Sequence, residues 1–89
     1  MLARMTTPAD LEAAVRRVNA LTSAPSTDDM LALYGLYKQA TTGDATGDRP
    51  GMFDLKGRAK FDAWAKHRGL GAEAARAAYV ALVDRLAGR

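Results

Sequence analysis

The sequence predicts an all-α, single-domain fold of four helices. Three observations lead there: apolar residues recur at helical spacing in four segments, turn-forming residues separate those segments, and no stretch shows the apolar–polar alternation of a strand. With 89 residues there is room for one domain, residues 1–89, built around one core. The composition, 48% hydrophobic and 26% charged, is that of a folded globular chain.

The first helix opens at Thr7 as N-cap, with Pro8 at the first helical position and Asp10 at the positive end of the helix. Leu11, Ala14, Val15, Val18 and Leu21 follow as one apolar stripe, and Ser23-Ala24-Pro25 breaks it. Ser26 or Thr27 caps the second helix, with Asp28 and Asp29 in its first turn and Gly43 suited to its C-terminal end. From Thr42 to Gly51 the chain is turn chemistry without apolar period. The third helix is expected from near Gly57 to His67, with Phe61 and Trp64 turned to the core. The fourth runs from Ala72 to Leu86, its stripe formed by Ala75, Ala78, Tyr79, Leu82, Val83 and Leu86. The stripes of the first and last helices match in length and are expected to pack on each other.

Composition also narrows function. The chain has no cysteine, which removes disulfides, thiolate metal ligands and thiol catalysis together. The start, Met1 to Pro8, has no apolar segment of a secretory signal, and no apolar run approaches the ~18 residues of a membrane span. A soluble, cytoplasmic protein is expected. The formal charge is +3, but its distribution is uneven. Lys56, Arg58, Lys60, Lys66 and Arg68 stand against Asp62 alone, a local balance of +4 that leaves the rest of the chain at −1. Such a patch fits an anionic partner, or simply a solvated face.

The second helix does not carry one stripe. At about 100° per residue, Ala32, Leu33, Leu36 and Ala40 fall on one side, while Met30, Leu31, Tyr34, Tyr37 and Lys38 occupy another arc. Flexible apolar groups, two tyrosines and a cation suit a ligand with rings and phosphate at one end and hydrocarbon at the other. Contact of the tyrosines with a neighbouring helix, with Lys38 at the rim, explains the same pattern.

The run from Met30 to Thr41, Met-Leu-Ala-Leu-Tyr-Gly-Leu-Tyr-Lys-Gln-Ala-Thr, resembles the signature of the acyl-CoA-binding protein family. Gly43-Asp44, Arg49-Pro50-Gly51-Met52 and the stretch from Asp54 to Trp64 continue the likeness in order. Ala78-Tyr79-Val80, Val83 and Leu86 extend it into the last helix, so it covers nearly the whole chain.

The resemblance implies an up-down-down-up bundle holding a fatty acyl-CoA ester between its helices. It implies that Tyr34, Lys38 and Lys60 hold the 3′-phosphate, that Tyr37 lies along the adenine, and that Tyr79 closes the nucleotide end. Lys56 is a further candidate for the anionic region. Met30, Leu31, Pro25 and Ala59 are implied along the path of the acyl chain. Asn19 stands where many family members carry a lysine for the nucleotide, with Arg16 and Arg17 the candidates to replace it. Phe61 stands in place of a usual tryptophan, Arg58 in place of a common lysine, and Ala24 where a basic residue is frequent.

The implied activity is non-catalytic binding, buffering and transport of medium- to long-chain acyl-CoA, with no cofactor and no metal. The implied protein is a monomer that meets acyl-CoA-using enzymes transiently and has no stable membrane association. Catalysis lacks its machinery in this sequence: His67 is the single histidine, and no nucleophile elbow or metal-ligand spacing is present. The alternative of a different class is a small basic helical module for nucleic acid or protein. Phe61 and Trp64 fall away from several of the cations, and no helix-turn-helix spacing appears, so no nucleic-acid partner is expected.

Overall fold

The structure is a computed structural model that describes residues 5–88. The stretch read as lacking a signal segment therefore lies partly outside the described residues, at 1–4. Four helices form in order: α1 (Pro8–Asn19), α2 (Thr27–Thr41), α3 (Leu55–Ala65) and α4 (Ala72–Ala87), with no strand among the described residues.

Local signals start and stop them as expected. Thr7 and Asp10 make a reciprocal capping box at α1, whose first residue is Pro8. The Ser26 hydroxyl accepts from the Asp29 N–H at 3.1 Å and caps α2. The chain leaves α2 through Gly43 at φ 94°, a conformation that disfavours any side chain. The start of α3 differs from expectation. Asp54 accepts from the Gly57 N–H at 3.0 Å, so the helix begins at Leu55, two residues ahead of Gly57. It ends at Ala65 with Lys66 as its cap, short of His67.

The order of packing is α1 on α4, α4 on α2, and α2 on α3. Leu11 and Ala14 of α1, Leu33 and Leu36 of α2, and Tyr79, Val83 and Leu86 of α4 make the buried cluster. The first and last helices thus pack as expected. Among the described helices α3 touches only α2, and none of its residues is buried. That corrects the expectation for Phe61 and Trp64. Both are half-buried, because an outer helix with one neighbouring helix has only part of its circumference covered.

The α2–α3 crossing is close. Gly35 is buried, and a Cβ there would overlap the backbone carbonyl of Ala63. The connection between these helices is tied down along its first half. Trp64 Nε1 donates to the Gly43 carbonyl at 2.6 Å, and Arg68 Nε donates to the Ala45 carbonyl at 3.3 Å. Asp44 Oδ1 accepts from Gln39 Nε2 and from the Gly69 N–H, each at 2.8 Å. Gln39 is 1% exposed and donates also to the Leu70 carbonyl at 2.9 Å. Arg49 grips Asp62 with two bonds, at 2.9 and 2.7 Å. Arg68, one member of the basic stretch, and Asp62, its acid, therefore serve the fold.

Candidate functional site

A helix between two neighbours buries two sides and leaves the arc between them open. In α2, Leu33 and Leu36 join the core shared with α4, while Gly35 lies against α3. At about 100° per residue, Tyr37, Met30, Tyr34 and Lys38 fall in succession on the arc between those directions. This is the physical origin of the second arc seen in the sequence.

An apolar hollow of about 280 Å³ opens on this arc. Met30, Tyr34 and Tyr37 line it from α2, Tyr79 from α4, and Val15 and Val18 from α1. Tyr37 and Tyr79 meet with ring centroids 6.2 Å apart and planes at 60°. Burial first, and then the neighbouring Tyr37, push the Tyr79 phenol above its ordinary value, so it stays a neutral donor at physiological pH.

Two cations edge the same arc. Lys60 of α3 holds its Nζ 5.5 Å from the ring centre of Tyr34, and Lys38 holds its Nζ 4.8 Å from that of Trp64. Tyr34 and Lys38 are four residues apart and stack on one face of α2. Tyr34, Tyr37, Tyr79 and Met30 are thus brought around one hollow, with Lys38 and Lys60 beside it. Lys56 is exposed one turn before Lys60.

The remaining predicted residues lie elsewhere. Leu31 and Ala59 line a second hollow of about 340 Å³ between α2 and α3, together with Ala32 and Ala63. Pro25 borders a third, of about 140 Å³, against Leu86. Met30, Leu31 and Pro25, grouped in the sequence reading, therefore face three separate hollows. Asn19 is the exposed last residue of α1, one turn beyond Val15. Arg17 falls on the far side of α1 and pairs with Asp84 at 2.6 Å, so it does not replace a cation at Asn19. Arg16 is exposed.

Val15 and Val18 pack against the core, as their stripe predicts, and also line the first hollow. An apolar stripe has the same period whether it meets a helix or a hollow, so no sequence signal separated them. Trp64 was likewise read only as core, and its indole ring supports Lys38. Among the described residues no group of three or more His, Asp or Glu lies where it would hold a metal ion, and no helix is long and apolar enough to cross a membrane.

The family model for acyl-CoA-binding protein matches residues 9–83. Acyl-CoA-binding protein homolog 1 of Caenorhabditis elegans is 53% identical over 73 residues, covering 82% of this chain and 85% of that one. A Manduca sexta acyl-CoA-binding protein homolog is 54% identical over 74 residues, covering 82% of each chain. The crystal structure of Oryza sativa acyl-CoA-binding protein 2 matches with a TM-score of 0.81 at 45% identity, covering 85% of this chain and 83% of that one. The four-helix bundle expected from the resemblance is therefore the fold. On a family match across most of its length and relatives identical at half their aligned positions, the chain belongs to the acyl-CoA-binding protein family.

Proposed function

We propose that this chain binds fatty acyl-CoA esters reversibly, one per protein, and buffers and carries them with the thioester intact. One observation carries the reading: Lys60 of α3 stands over Tyr34, which lines an apolar hollow, and Lys38, one turn on from Tyr34 in α2, stands over Trp64. A terminal phosphate carries about 1.5–2 negative charges at neutral pH and needs such convergent donors. Each charge-assisted bond to it contributes about 1.5–3 kcal/mol. In this reading Tyr34, Lys38 and Lys60 hold the 3′-phosphate and Lys56 adds to the field around it. Tyr37 stacks along the adenine, and Tyr79 adds its ring and neutral hydroxyl at the nucleotide end.

The hydrocarbon follows apolar surface. Leu31 and Ala59 between α2 and α3, with Met30 and Pro25 at neighbouring hollows, offer it walls on both sides of α2. Each methylene buried adds at most about 0.8 kcal/mol, so medium and long chains bind more tightly than short ones until the walls end. Asn19 leaves one anionic contact without a cation. The carrier works as a cytoplasmic monomer without cofactor or chemical step: it lowers the free concentration of a detergent-like molecule and releases it to enzymes by dissociation. The runner-up, a basic nucleic-acid or protein module, is not favoured by the family to which the chain belongs.

The test is calorimetric titration with palmitoyl-CoA, free palmitate and free coenzyme A. One-to-one binding of the ester, far tighter than of either half, is the expected outcome. Absence of ester binding overturns the reading.

A further inference from the structure

The turn that leads into α3 presents three large apolar side chains to solvent. Met52 is 67% exposed, Phe53 97% and Leu55 74%. They are near neighbours in the chain, and none of them lines a hollow named above. Folding gains nothing from an aromatic ring left fully in water, and apolar groups gathered at one exposed site mark an interaction surface.

Charge surrounds this tip. Lys56 and Arg58 follow Leu55 in the first turn of α3 and flank it on either side, while Lys60 is turned to Tyr34 of α2. Between Asp48 and Lys60 four cations stand against two acids, and the exposed Asp54 carboxylate accepts from the Gly57 N–H as the cap of α3. The next acid along α3, Asp62, is held by Arg49. The exposed chemistry is therefore an apolar tip within a cationic collar.

We propose that Met52, Phe53 and Leu55, with the collar of Lys56 and Arg58, form a reversible docking site for an anionic lipid bilayer. With all three side chains mostly in solvent, a bilayer interface accepts them without a preformed pocket, whereas a folded partner needs a matching cavity. Aromatic and aliphatic groups enter the boundary between headgroups and acyl chains, and lysine and arginine are drawn to its negative surface. One tip of three side chains and two cations gives weak, salt-sensitive attachment, well short of an anchor. Lys60, one turn on from Lys56, borders the candidate ligand site, so docking brings that site to the bilayer surface. This consequence, though not the docking itself, rests on the acyl-CoA reading.

The test uses ligand-free protein and sedimentation with phosphatidylcholine vesicles, with or without phosphatidylserine. Binding is expected to the phosphatidylserine vesicles, to fall in high salt, and to fall by about tenfold in Phe53→Ser. Phe53 contributes no packing, so the variant keeps its helicity, which circular dichroism checks. Lys56→Glu lowers binding to the charged vesicles further. Equal binding of the wild type and Phe53→Ser overturns the proposal, as does equal binding to both kinds of vesicle. Absence of binding to either also overturns it and leaves the tip to a protein partner. Ester titration of Phe53→Ser reads the acyl-CoA reading separately, because that variant removes none of the proposed ligand contacts.

Discussion

Lys38 Nζ lies 4.8 Å from the centre of the Trp64 ring, and the same indole donates its N–H to the Gly43 carbonyl at 2.6 Å. One side chain of the outer helix thus supports a cation of α2 and fixes the loop that follows it. The cation itself contributes little to folding, because a partly exposed contact of this kind is worth about 0.5–1 kcal/mol. Lys38→Ala is therefore expected to melt within a few degrees of the wild type. Loss of a charge-assisted phosphate bond of about 1.5–3 kcal/mol weakens palmitoyl-CoA by roughly 10–150-fold. Lys60→Ala is expected to behave in the same way. Calorimetry beside thermal melts separates the two effects, and unchanged affinity in both variants rules out the assigned phosphate site.

The α2–α3 crossing has the opposite balance of stability and binding. Any Cβ at residue 35 meets the Ala63 carbonyl, and the obstacle is backbone. Gly35→Ala must push α3 away, at a cost of about 1–3 kcal/mol typical of overpacking. For a chain this small that lowers the melting temperature by at least about 4 °C. Because α3 carries Lys60 and Ala59, ester affinity falls with it. A Gly35→Ala protein with the melting temperature and affinity of the wild type is incompatible with so close a crossing.

Legibility in the sequence followed the range of the forces involved. Thr7, Pro8, Ser26 and Gly43 act within one helical turn, so the starts of α1 and α2 and the end of α2 were readable. Asp54 acts just as locally, yet Gly57 resembled a helix start more than a residue within the first turn. Phe61 and Trp64 were read as core because a helical period tells which face meets protein, not how many layers lie beyond it. The separation of Leu31 from Met30 had the same cause: α2 sits between two neighbours, and an arc in sequence does not reveal which neighbour covers it. The ties from Trp64 and Arg68 to the loop after α2 join residues more than twenty positions apart, beyond any local pattern.

Asn19 offers a gain-of-function test. It is exposed at the end of α1, on the side of Val15 and the apolar hollow, while Arg17 is engaged with Asp84 on the far side. Asn19→Lys adds a cation to the proposed nucleotide end, and its position in the last turn also suits the helix dipole. An exposed charge pair gives about 0.2–1 kcal/mol, so ester affinity is expected to rise up to about fivefold at low salt. The gain should shrink as salt is added and should appear with free coenzyme A as well. Weaker or unchanged binding at low salt means that the ligand phosphates lie out of reach of this position.

Asp44 links the loop after α2 to the turn between α3 and α4, and its ionisation makes that link sensitive to pH. The Gly69 N–H, and next Gln39 Nε2, hold its carboxyl below the ordinary 3.8. A carboxyl lowered in the folded state binds its proton less readily there than in the unfolded chain. Its stabilising contribution is therefore complete above the unfolded value and is lost as pH falls through the folded one. Denaturant titrations between neutral pH and about pH 3 should show stability falling on the acid side. Asp44→Asn keeps an oxygen for both donors but removes the charge, so it should cost stability at neutral pH and flatten the acid slope. If the variant instead keeps the slope of the wild type, other carboxyls carry the acid sensitivity. Asp62, lowered first by its bonds to Arg49, is then the group to replace next.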